Sequence, residues 1–249
     1  MTLDNVAIVT VRNSSSRLPN KALMKIKGDL RSIDIVLERA KKTNLPVILA
    51  TSTSESDDIF EKIAKEHDVL FFRGALLNKI KRWYDCFKKF DISNALLLDG
   101  DDLCHNFSLG IRAMCELKSK PIDLLMNTDD IVTGFFTFAI SKNGITKLYN
   151  IVPSEITNTD VITRYLEKAN LITDYVTLEN YEINKNIRLT LDYEEDLKFF
   201  QKLYENISII ESGKQIINFL EQNPDMIQIN FHRQKDFLEN QSKFNESVK

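Results

Sequence analysis

Two arginines and a lysine lie within one short segment that also holds three serines and no glycine. The segment reads Arg12-Asn13-Ser14-Ser15-Ser16-Arg17-Leu18-Pro19-Asn20-Lys21 and directly follows an apolar run. Guanidinium, hydroxyl and N–H groups are the donors that satisfy phosphate oxygens. We therefore predict a polyphosphate-binding loop, and the alternative is a solvated basic turn. The segment matches neither the Walker loop nor the glycine-rich dinucleotide fingerprint.

Carboxylates follow two later apolar runs. Asp99-Gly100-Asp101-Asp102 ends one run, and Asp192 ends another at 186–191. Clustered carboxylates are unfavourable unless a cation neutralises them, and oxygen ligands beside a triphosphate suit Mg²⁺. These residues predict a magnesium site, with a polar Asp-Gly turn as the alternative for the first group. For Glu194, Glu195 and Asp196 we prefer helix capping, since acidic residues favour the first helical turn.

The elements that must position these residues follow from hydrophobic periodicity. Short apolar runs predict buried strands at 6–11, 46–50, 69–72, 95–99 and 122–126, and amphipathic helical spacing lies between them. Alternating strands and helices predict an α/β fold, a three-layer Rossmann-like arrangement around a mostly parallel sheet. Ligands bind such sheets beyond the carboxyl ends of the strands, which is where both polar segments lie.

After Asn127 the regular alternation of predicted strands and helices ends. We predict a longer, antiparallel strand at 131–141, a helix at 158–169 capped by Asn158 or Thr159, a strand at 186–191, and a helix from about Glu194 to Tyr204. No linker or repeat interrupts the chain. The expected organisation is one domain at 1–234, with an inserted or appended section at about 130–185, and a polar tail or lone helix at 235–249.

Composition excludes several classes of protein. The chain of 249 residues has 33 Lys+Arg against 36 Asp+Glu, for a formal charge of −3, and it shows no basic stripe for nucleic acid. Its apolar runs are too short for a membrane helix and its start lacks a signal peptide, so the expected compartment is the cytoplasm. Cys86, Cys104 and Cys115 suggest neither a disulfide framework nor zinc. The three histidines, His67, His105 and His232, are interpreted as structural.

The ordered motifs resemble one family. The stretch VAIVTVRNSSSRLPNKALMKIKG resembles the N-terminal signature of the CMP-sugar-acid synthetases, and most closely the spore coat polysaccharide biosynthesis protein F branch of cytidylyltransferases. The resemblance continues through ILATSTSESDDIFEKIAKEHDVLFFRG, Arg82-Trp83-Tyr84, Gly100-Asp101 and IRLTLDYEEDL at 187–197. One departure is Asp99-Gly100-Asp101-Asp102-Leu103, where the family usually reads Thr-Gly-Asp-Cys-Pro.

The resemblance implies a nucleotide-diphospho-sugar transferase (GT-A-like) fold, CTP as nucleotide donor, Mg²⁺ as cofactor and a homodimer. It also implies that the section at about 130–185 is the variable acceptor and dimerisation section. The implied phosphate-binding residues are Arg12, Arg17 and Lys21, with Ser14 and Ser15 beside them in the loop. Asp101 and Asp192 would ligate magnesium. Thr51, Ser52, Arg73 and Arg82 would line the cytidine pocket. The implied catalytic set is Arg12, Lys21, Asp101 and Asp192.

The resulting hypothesis is Mg-dependent transfer of CMP from CTP to a sugar acid, such as a nonulosonic or octulosonic acid, with release of pyrophosphate for glycan synthesis. One alternative is a sugar phosphate, polyol phosphate or phosphonate acceptor, for which Arg164, Lys168 and Lys185 would supply cations. Another is a nucleotide-binding module that has lost its chemistry, because the Asp99–Leu103 segment departs from the family pattern. Neither nucleic acid nor membrane insertion is expected.

Overall fold

A computed structural model describes residues 2–15 and 17–247. Ser16 of the predicted phosphate loop, Val248 and Lys249 of the predicted tail, and Met1 lie outside the described residues. The strands are β1 (Leu3–Thr10), β2 (Lys25–Lys27), β3 (Leu30–Arg31), β4 (Val47–Ser52), β5 (Leu70–Gly74), β6 (Ile92–Asp99), β7 (Leu124–Met126), β8 (Phe138–Ser141) and β9 (Thr173–Tyr175). The helices are α1 (Ser32–Lys41), α2 (Ile59–Glu66), α3 (Lys79–Phe90), α4 (Phe107–Ser119), α5 (Lys142–Ile151), α6 (Thr163–Lys168), α7 (Glu194–Asn206), α8 (Gly213–Gln222), α9 (Pro224–Ile227) and α10 (Arg233–Ser247).

Seven strands form the central sheet in the order β5-β4-β1-β6-β8-β7-β9. The first four are mutually parallel, β8 runs antiparallel to both of its neighbours, and β9 is parallel to β7. The strands β2 and β3 form a separate hairpin. The five strands predicted up to residue 126 are present, and the predicted α/β class with a mostly parallel sheet is confirmed.

Helices cover both faces of the sheet because the strands are apolar on both sides. Along β1, Ala7 and Val9 contribute to a core with α1, α2, α4, α7 and α8, whereas Val6 and Ile8 contribute to a second core with α3, α5 and α6. Alternate side chains of a strand point to opposite faces of the sheet. A strand that is apolar at every position must therefore be covered on both faces. The result is the predicted three-layer arrangement.

Two predicted elements in the second half are wrong in extent. The antiparallel strand predicted at 131–141 is confined to β8, because Gly134 adopts a positive φ of 90° and the preceding residues form a loop. The helix predicted at 158–169 begins only at Thr163, with Ile162 as its N-cap. Thr159 instead accepts a hydrogen bond from Ile80 N at 3.2 Å, so it caps the start of α3.

The predicted strand at 186–191 is not a strand of the sheet. The segment is extended, but its ladder is reduced to one isolated bridge between Arg188 and Thr133. Leu189 N donates to Thr133 O at 2.8 Å and Leu191 N donates to Asp101 O at 2.9 Å. Each of these partners lies in a different loop, so the segment connects two loops rather than pairing with one strand. The helix predicted from Glu194 is confirmed as α7.

The C-terminal segment forms α10 rather than a loose tail within the part that the structure describes. Arg233, at its start, pairs with both carboxylate oxygens of Glu195 in the first turn of α7, at 3.0 Å each. Among residues 2–15 and 17–247, no helix has the length and apolar character required to cross a bilayer.

Gly134 allows the extended segment to approach the 131–137 loop. A Cβ at this position would lie 2.4 Å from Leu189 O, and φ is +90°, whereas at Gly28 φ is +56° and nothing lies within 4 Å. Both Gly→Ala variants impose a left-handed backbone on a residue with a side chain, at a cost of about 1–2 kcal/mol. We expect Gly134→Ala to lose at least about 2 kcal/mol more than Gly28→Ala in urea unfolding, since its clash is with backbone. Equal losses in the two variants would contradict this packing.

His67 connects α2 to α1 through two carboxylates. Its ring nitrogens lie 2.9 Å from Asp34 and 2.9 Å from Glu38. The hydrogen bond with Asp34, opposed by partial burial and aided by Glu38, raises the pKa of His67. Because this folded-state pKa lies above the unfolded value of about 6.5, the contribution to stability is fully present below that pH and is lost as pH rises through the folded-state pKa.

We therefore expect His67→Gln to destabilise the protein more at about pH 6 than at about pH 8. Urea unfolding of the wild type and the variant at both pH values measures the difference. His232→Gln, at an exposed position, serves as the matched control. A loss at His67 that is independent of pH would show that the contact does not depend on the charged ring.

Candidate active site

The strand register brings the predicted functional segments to one edge of the sheet. Thr10, the last residue of β1, pairs with Ala50 of β4 on one side and with Asp99 of β6 on the other. The residues that follow, Arg12 and Asp101, therefore leave neighbouring parallel strands at the same carboxyl edge. Gly100 N donates to Thr10 O at 2.8 Å and holds the two loops together.

Lys21 lies between the two carboxylates predicted to bind metal. Its Nζ donates to Asp101 Oδ2 and, at 2.9 Å, to Asp192 Oδ1. Burial opposes its charge, but the two carboxylates outweigh burial and raise the pKa of Lys21. The ammonium group therefore stays protonated. Two carboxylates that lie 80 and 171 positions away in sequence thus meet at one ammonium group.

Asp192 has a different environment around each oxygen. Oδ1 accepts from Arg17 and Lys21, while Oδ2 accepts from Arg188 NH2 at 3.0 Å. Burial of this carboxylate, whose side chain is 2% exposed, would raise its pKa, but Lys21, Arg17 and Arg188 together lower it. Asp192 is therefore ionised and can act as a ligand for a cation.

Asp99 and Asp102 flank this centre and differ from Asp192 in their partners. Burial, followed by the charges of Asp101 and Asp99, raises the pKa of Asp102 well above its usual value. Burial also raises the pKa of Asp99, although Lys79 Nζ at 3.4 Å opposes the shift. Burial therefore disfavours the charged forms of Asp99 and Asp102, and a cation bound beside them would favour those forms.

Arg12 lies beside Arg82 rather than in the Lys21 cluster. Arg12 NH1 donates to Leu76 O at 3.2 Å, and Arg82 NH2 donates to the same oxygen at 3.0 Å. Burial and the Arg12 charge lower the pKa of Arg82 to about 10. The second amino group of Arg12 pairs with Asp160, from the loop before α6. An incoming phosphate would have to replace this carboxylate.

Four of the remaining predicted nucleotide-binding residues, Ser15, Thr51, Ser52 and Arg73, have their side chains bonded within the protein. Thr51 Oγ1 donates to Val11 O at 2.8 Å, and Ser52 Oγ donates to Asp57. Arg73 donates to the carbonyls of Ser52 and Ser54. In the phosphate loop, Ser14 is exposed and Ser15 Oγ accepts from Leu18 N at 3.3 Å. These side chains order the loops around the edge.

Sequence reasoning missed the residues that hold Asp192. Arg188 is buried, and its Nε and NH2 donate to Asp196 at 3.0 and 3.1 Å. Asp196 Oδ2 also accepts from Asp192 N and Tyr193 N, so its predicted capping role is present together with an ion pair. The repeated four-residue spacing of Arg188, Asp192 and Asp196 was the available signal.

His105, Cys104 and Cys86 are buried, and His105 Nδ1 lies 3.3 Å from the backbone oxygen of Asp102. Burial and the nearby Arg39 charge lower the pKa of His105 to about 3, which keeps the ring neutral. Burial raises the pKa of Cys104 to about 11 and of Cys86 to about 12, so both thiols stay protonated.

Magnesium fits the residues at the edge only together with a phosphate ligand. Among residues 2–15 and 17–247, no three His, Cys, Asp or Glu side chains form a cluster able to hold a metal by themselves. Asp101 and Asp192 nevertheless direct oxygens at one cation, the Lys21 ammonium. One or two carboxylates completed by substrate phosphates and water is the usual coordination of Mg²⁺. The donor set therefore suits a metal that arrives with a nucleotide.

The fold and this edge define an α/β protein of the nucleotide-diphospho-sugar transferase type, as the solved structures confirm. A family profile described as Cytidylyltransferase matches residues 6–226. The chain belongs to the cytidylyltransferase family, which is a family of nucleotidyltransferases.

Three curated relatives match over nearly their whole lengths. The uncharacterized protein MJ1063 of Methanocaldococcus jannaschii is 27% identical over 94% of this chain and 98% of its own. The spore coat polysaccharide biosynthesis protein SpsF of Bacillus subtilis is 24% identical over 89% and 96%. The 3-deoxy-manno-octulosonate cytidylyltransferase of Rickettsia akari is 22% identical over 82% and 97%. The predicted branch of the family is thereby confirmed.

Solved structures show the same fold. A cytidylyltransferase from Leptospira borgpetersenii serovar Hardjo-bovis has a TM-score of 0.80 at 24% identity, covering 91% of this chain and 97% of that chain. A CMP:2-keto-3-deoxy-manno-octonic acid synthetase complexed with CTP has a TM-score of 0.62 at 15% identity, covering 81% and 98%.

Proposed function

We propose that the protein transfers CMP from CTP to a sugar acid and releases pyrophosphate. The observation that carries this proposal is the meeting of Lys21 with Asp101 and Asp192 at the carboxyl edge of the sheet, next to the cationic loop. A relative named for cytidylyl transfer to 3-deoxy-manno-octulosonate, and another named for spore coat polysaccharide biosynthesis, support the acceptor class.

Each charged residue has a proposed task. Asp101 and Asp192 would hold Mg²⁺, which supplies charge neutralisation on the phosphates and acidifies a bound hydroxyl. Arg12, Arg17 and Lys21 would bind phosphate oxygens, with guanidinium forks gripping two oxygens at once. For this, Lys21 exchanges at least one carboxylate partner for phosphate, and Arg12 exchanges Asp160.

The reaction needs positioning more than covalent catalysis. A hydroxyl oxygen of the acceptor forms a bond to the α-phosphorus of CTP while the bond from that phosphorus to the bridging oxygen breaks, and the hydroxyl proton leaves to solvent. Pyrophosphate departs with the bonding electrons, and Arg12 and Lys21 would stabilise its developing charge. Preorganised cations of this kind act most strongly in a site shielded from water.

Thr51, Ser52, Arg73 and Arg82 would form the wall of the cytidine pocket. Their side chains bond to backbone carbonyls or, for Ser52, to the carboxylate of Asp57, and Arg73 pairs with the carboxylate of Asp58 as well. We therefore propose that they shape the pocket by fixing its loops, and that cytosine is recognised mainly by backbone groups of those loops.

A panel of acceptors tests the proposal. Pyrophosphate release is measured with CTP, ATP, GTP or UTP, with Mg²⁺, and with sugar acids, sugar or polyol phosphates, or phosphonates. Turnover restricted to CTP and sugar acids is the expected result. Turnover with a phosphate or phosphonate acceptor would instead assign the acceptor to that class. CTP binding without turnover on any acceptor would indicate a nucleotide-binding module without catalytic activity.

The predicted homodimer is a separate proposal. The edge strand β9 exposes Tyr175, and the adjacent Ile172 is also exposed, which leaves apolar surface at the end of the sheet. Light scattering is expected to give twice the 28.8 kDa chain mass. A monomer at micromolar concentration would contradict this proposal without affecting the assignment of the site.

A further inference from the structure

Arg188 connects Asp192 to the C-terminal helix. The residue is 1% exposed, and each of its guanidinium nitrogens has an acceptor. NH2 donates to Asp192 Oδ2 at 3.0 Å, Nε donates to Asp196 Oδ1 at 3.0 Å, and NH1 donates to Gln234 Oε1 in α10 at 3.2 Å. Two sides of the guanidinium are therefore fixed by carboxylates and the third by α10.

Helix α10 also covers the face of this guanidinium. The Phe237 ring lies 4.8 Å from Arg188 Cζ, and Gln234 Nε2 donates to Thr133 Oγ1 at 3.1 Å. Gln234 therefore bridges Arg188 and the 131–137 loop, while Phe237 excludes water from the buried charge. An aromatic ring over a desolvated guanidinium is an attractive arrangement.

The two carboxylate oxygens of Asp192 have different donors in this arrangement. Arg188 holds Oδ2, and Oδ1 faces Lys21 and Arg17. If the guanidinium were free to turn, Oδ2 would lose its donor and the carboxylate would no longer be fixed toward the site. The helix that fixes it begins at Arg233, after the family match ends at residue 226.

We propose that α10 is a positioning element for the metal-binding carboxylate: Gln234 and Phe237 fix Arg188, and Arg188 fixes Asp192 with Oδ1 toward the site. This inference rests on the proposed function, since it assigns Asp192 to Mg²⁺. Groups that orient a metal ligand from behind typically change metal affinity about 10–100-fold when removed. Gln234 and Phe237 act through Arg188 and not directly on Asp192, so we expect a change in metal affinity at the lower end of that range.

The test compares two double variants on the same helix. Gln234→Ala/Phe237→Ala removes both contacts with Arg188. Lys235→Ala/Leu238→Ala truncates their neighbours, and Leu238 is 54% exposed. Calorimetric titration of CTP is repeated at increasing Mg²⁺ to obtain the concentration for half-maximal nucleotide binding, and kcat is measured separately at saturating Mg²⁺.

The expected result is an increase of about 10-fold in the Mg²⁺ midpoint for the first variant, with kcat largely restored at saturating Mg²⁺. The second variant should remain within about twofold of the wild type. Gln234→Glu, which keeps an acceptor for Arg188 NH1, should stay close to the wild type while Gln234→Ala shifts the midpoint, and this pair carries the test if the double variant does not fold.

An unchanged Mg²⁺ midpoint in the first variant, or an equal shift in the second, overturns the inference while leaving the proposed function standing. Wild-type protein that binds no CTP at any Mg²⁺ concentration overturns both. A lower thermal midpoint with an unchanged Mg²⁺ midpoint identifies α10 as structural support only and also overturns the inference.

Discussion

Asp192→Asn should lower the rate of CMP transfer by about 10³-fold or more. The substitution keeps the shape of the side chain but removes the charge that Lys21, Arg17 and Arg188 surround. Removing one preorganised electrostatic group of this kind typically costs 10²–10³ in kcat, and here a metal ligand is lost as well. Pyrophosphate release at saturating CTP and Mg²⁺ measures the effect.

The folded state of this variant needs its own control. Breaking a buried ion pair can cost about 3–5 kcal/mol, so inactivity alone would not separate lost chemistry from lost structure. Asp101→Asn is the companion variant, because its side chain is 25% exposed and it should lose similar activity with less destabilisation. Asp29→Asn changes a fully exposed carboxylate and should leave the rate unchanged. Near-normal turnover in both site variants would exclude the proposed role of these carboxylates.

Lys21→Met is expected to reduce kcat/KM for CTP by about 10²–10³-fold, because the substitution removes the ammonium proposed to stabilise departing pyrophosphate. It should also strengthen binding of Mn²⁺ in the absence of nucleotide. Asp101 and Asp192 then face each other without the cation that joins them, and a divalent ion relieves their repulsion. Steady-state kinetics and electron paramagnetic resonance of free Mn²⁺ measure the two effects.

The two readouts move in opposite directions, which distinguishes the site from a general loss of structure. Lys25→Met is the matched control, since Lys25 is exposed and pairs with Asp29 in the β2–β3 region. It should change neither value. Weaker Mn²⁺ binding in Lys21→Met would show that the two carboxylates do not share a cation position.

The sequence predicted the parallel half of the sheet well because those strands are buried on both faces. The apolar runs at 46–50 and 95–99 can be buried on both faces only inside such a sheet. Polar residues follow each run at the carboxyl end of its strand. Asp101 could be predicted to lie at the carboxyl edge for the same reason, because it follows β6. Asp192 reaches the same place from a segment that is not a strand of the sheet, and Lys21 lies well after β1 ends.

The second half of the fold was harder to predict from the sequence because its backbone hydrogen bonds join residues that are far apart in the chain. The 186–191 segment has the composition of a strand, but its backbone hydrogen bonds from Leu189 and Leu191 go to separate loops, and periodicity carries no information about partners. The role of Thr159 as a cap of α3 depends on a residue about 80 positions earlier, Ile80. The ion pair of Arg12 with Asp160 and the contact of α10 with Arg188 likewise join segments that are far apart in the sequence.

The structure of the protein crystallised with CTP and Mg²⁺ tests the central claim most directly. The account predicts one metal ion bound by Asp101 and Asp192 together with CTP phosphate oxygens, with Lys21, Arg12 and Arg17 on the same triphosphate and Asp160 displaced from Arg12. A triphosphate bound elsewhere, or bound at this edge with its metal on other side chains and Lys21 still joined to both carboxylates, would contradict it.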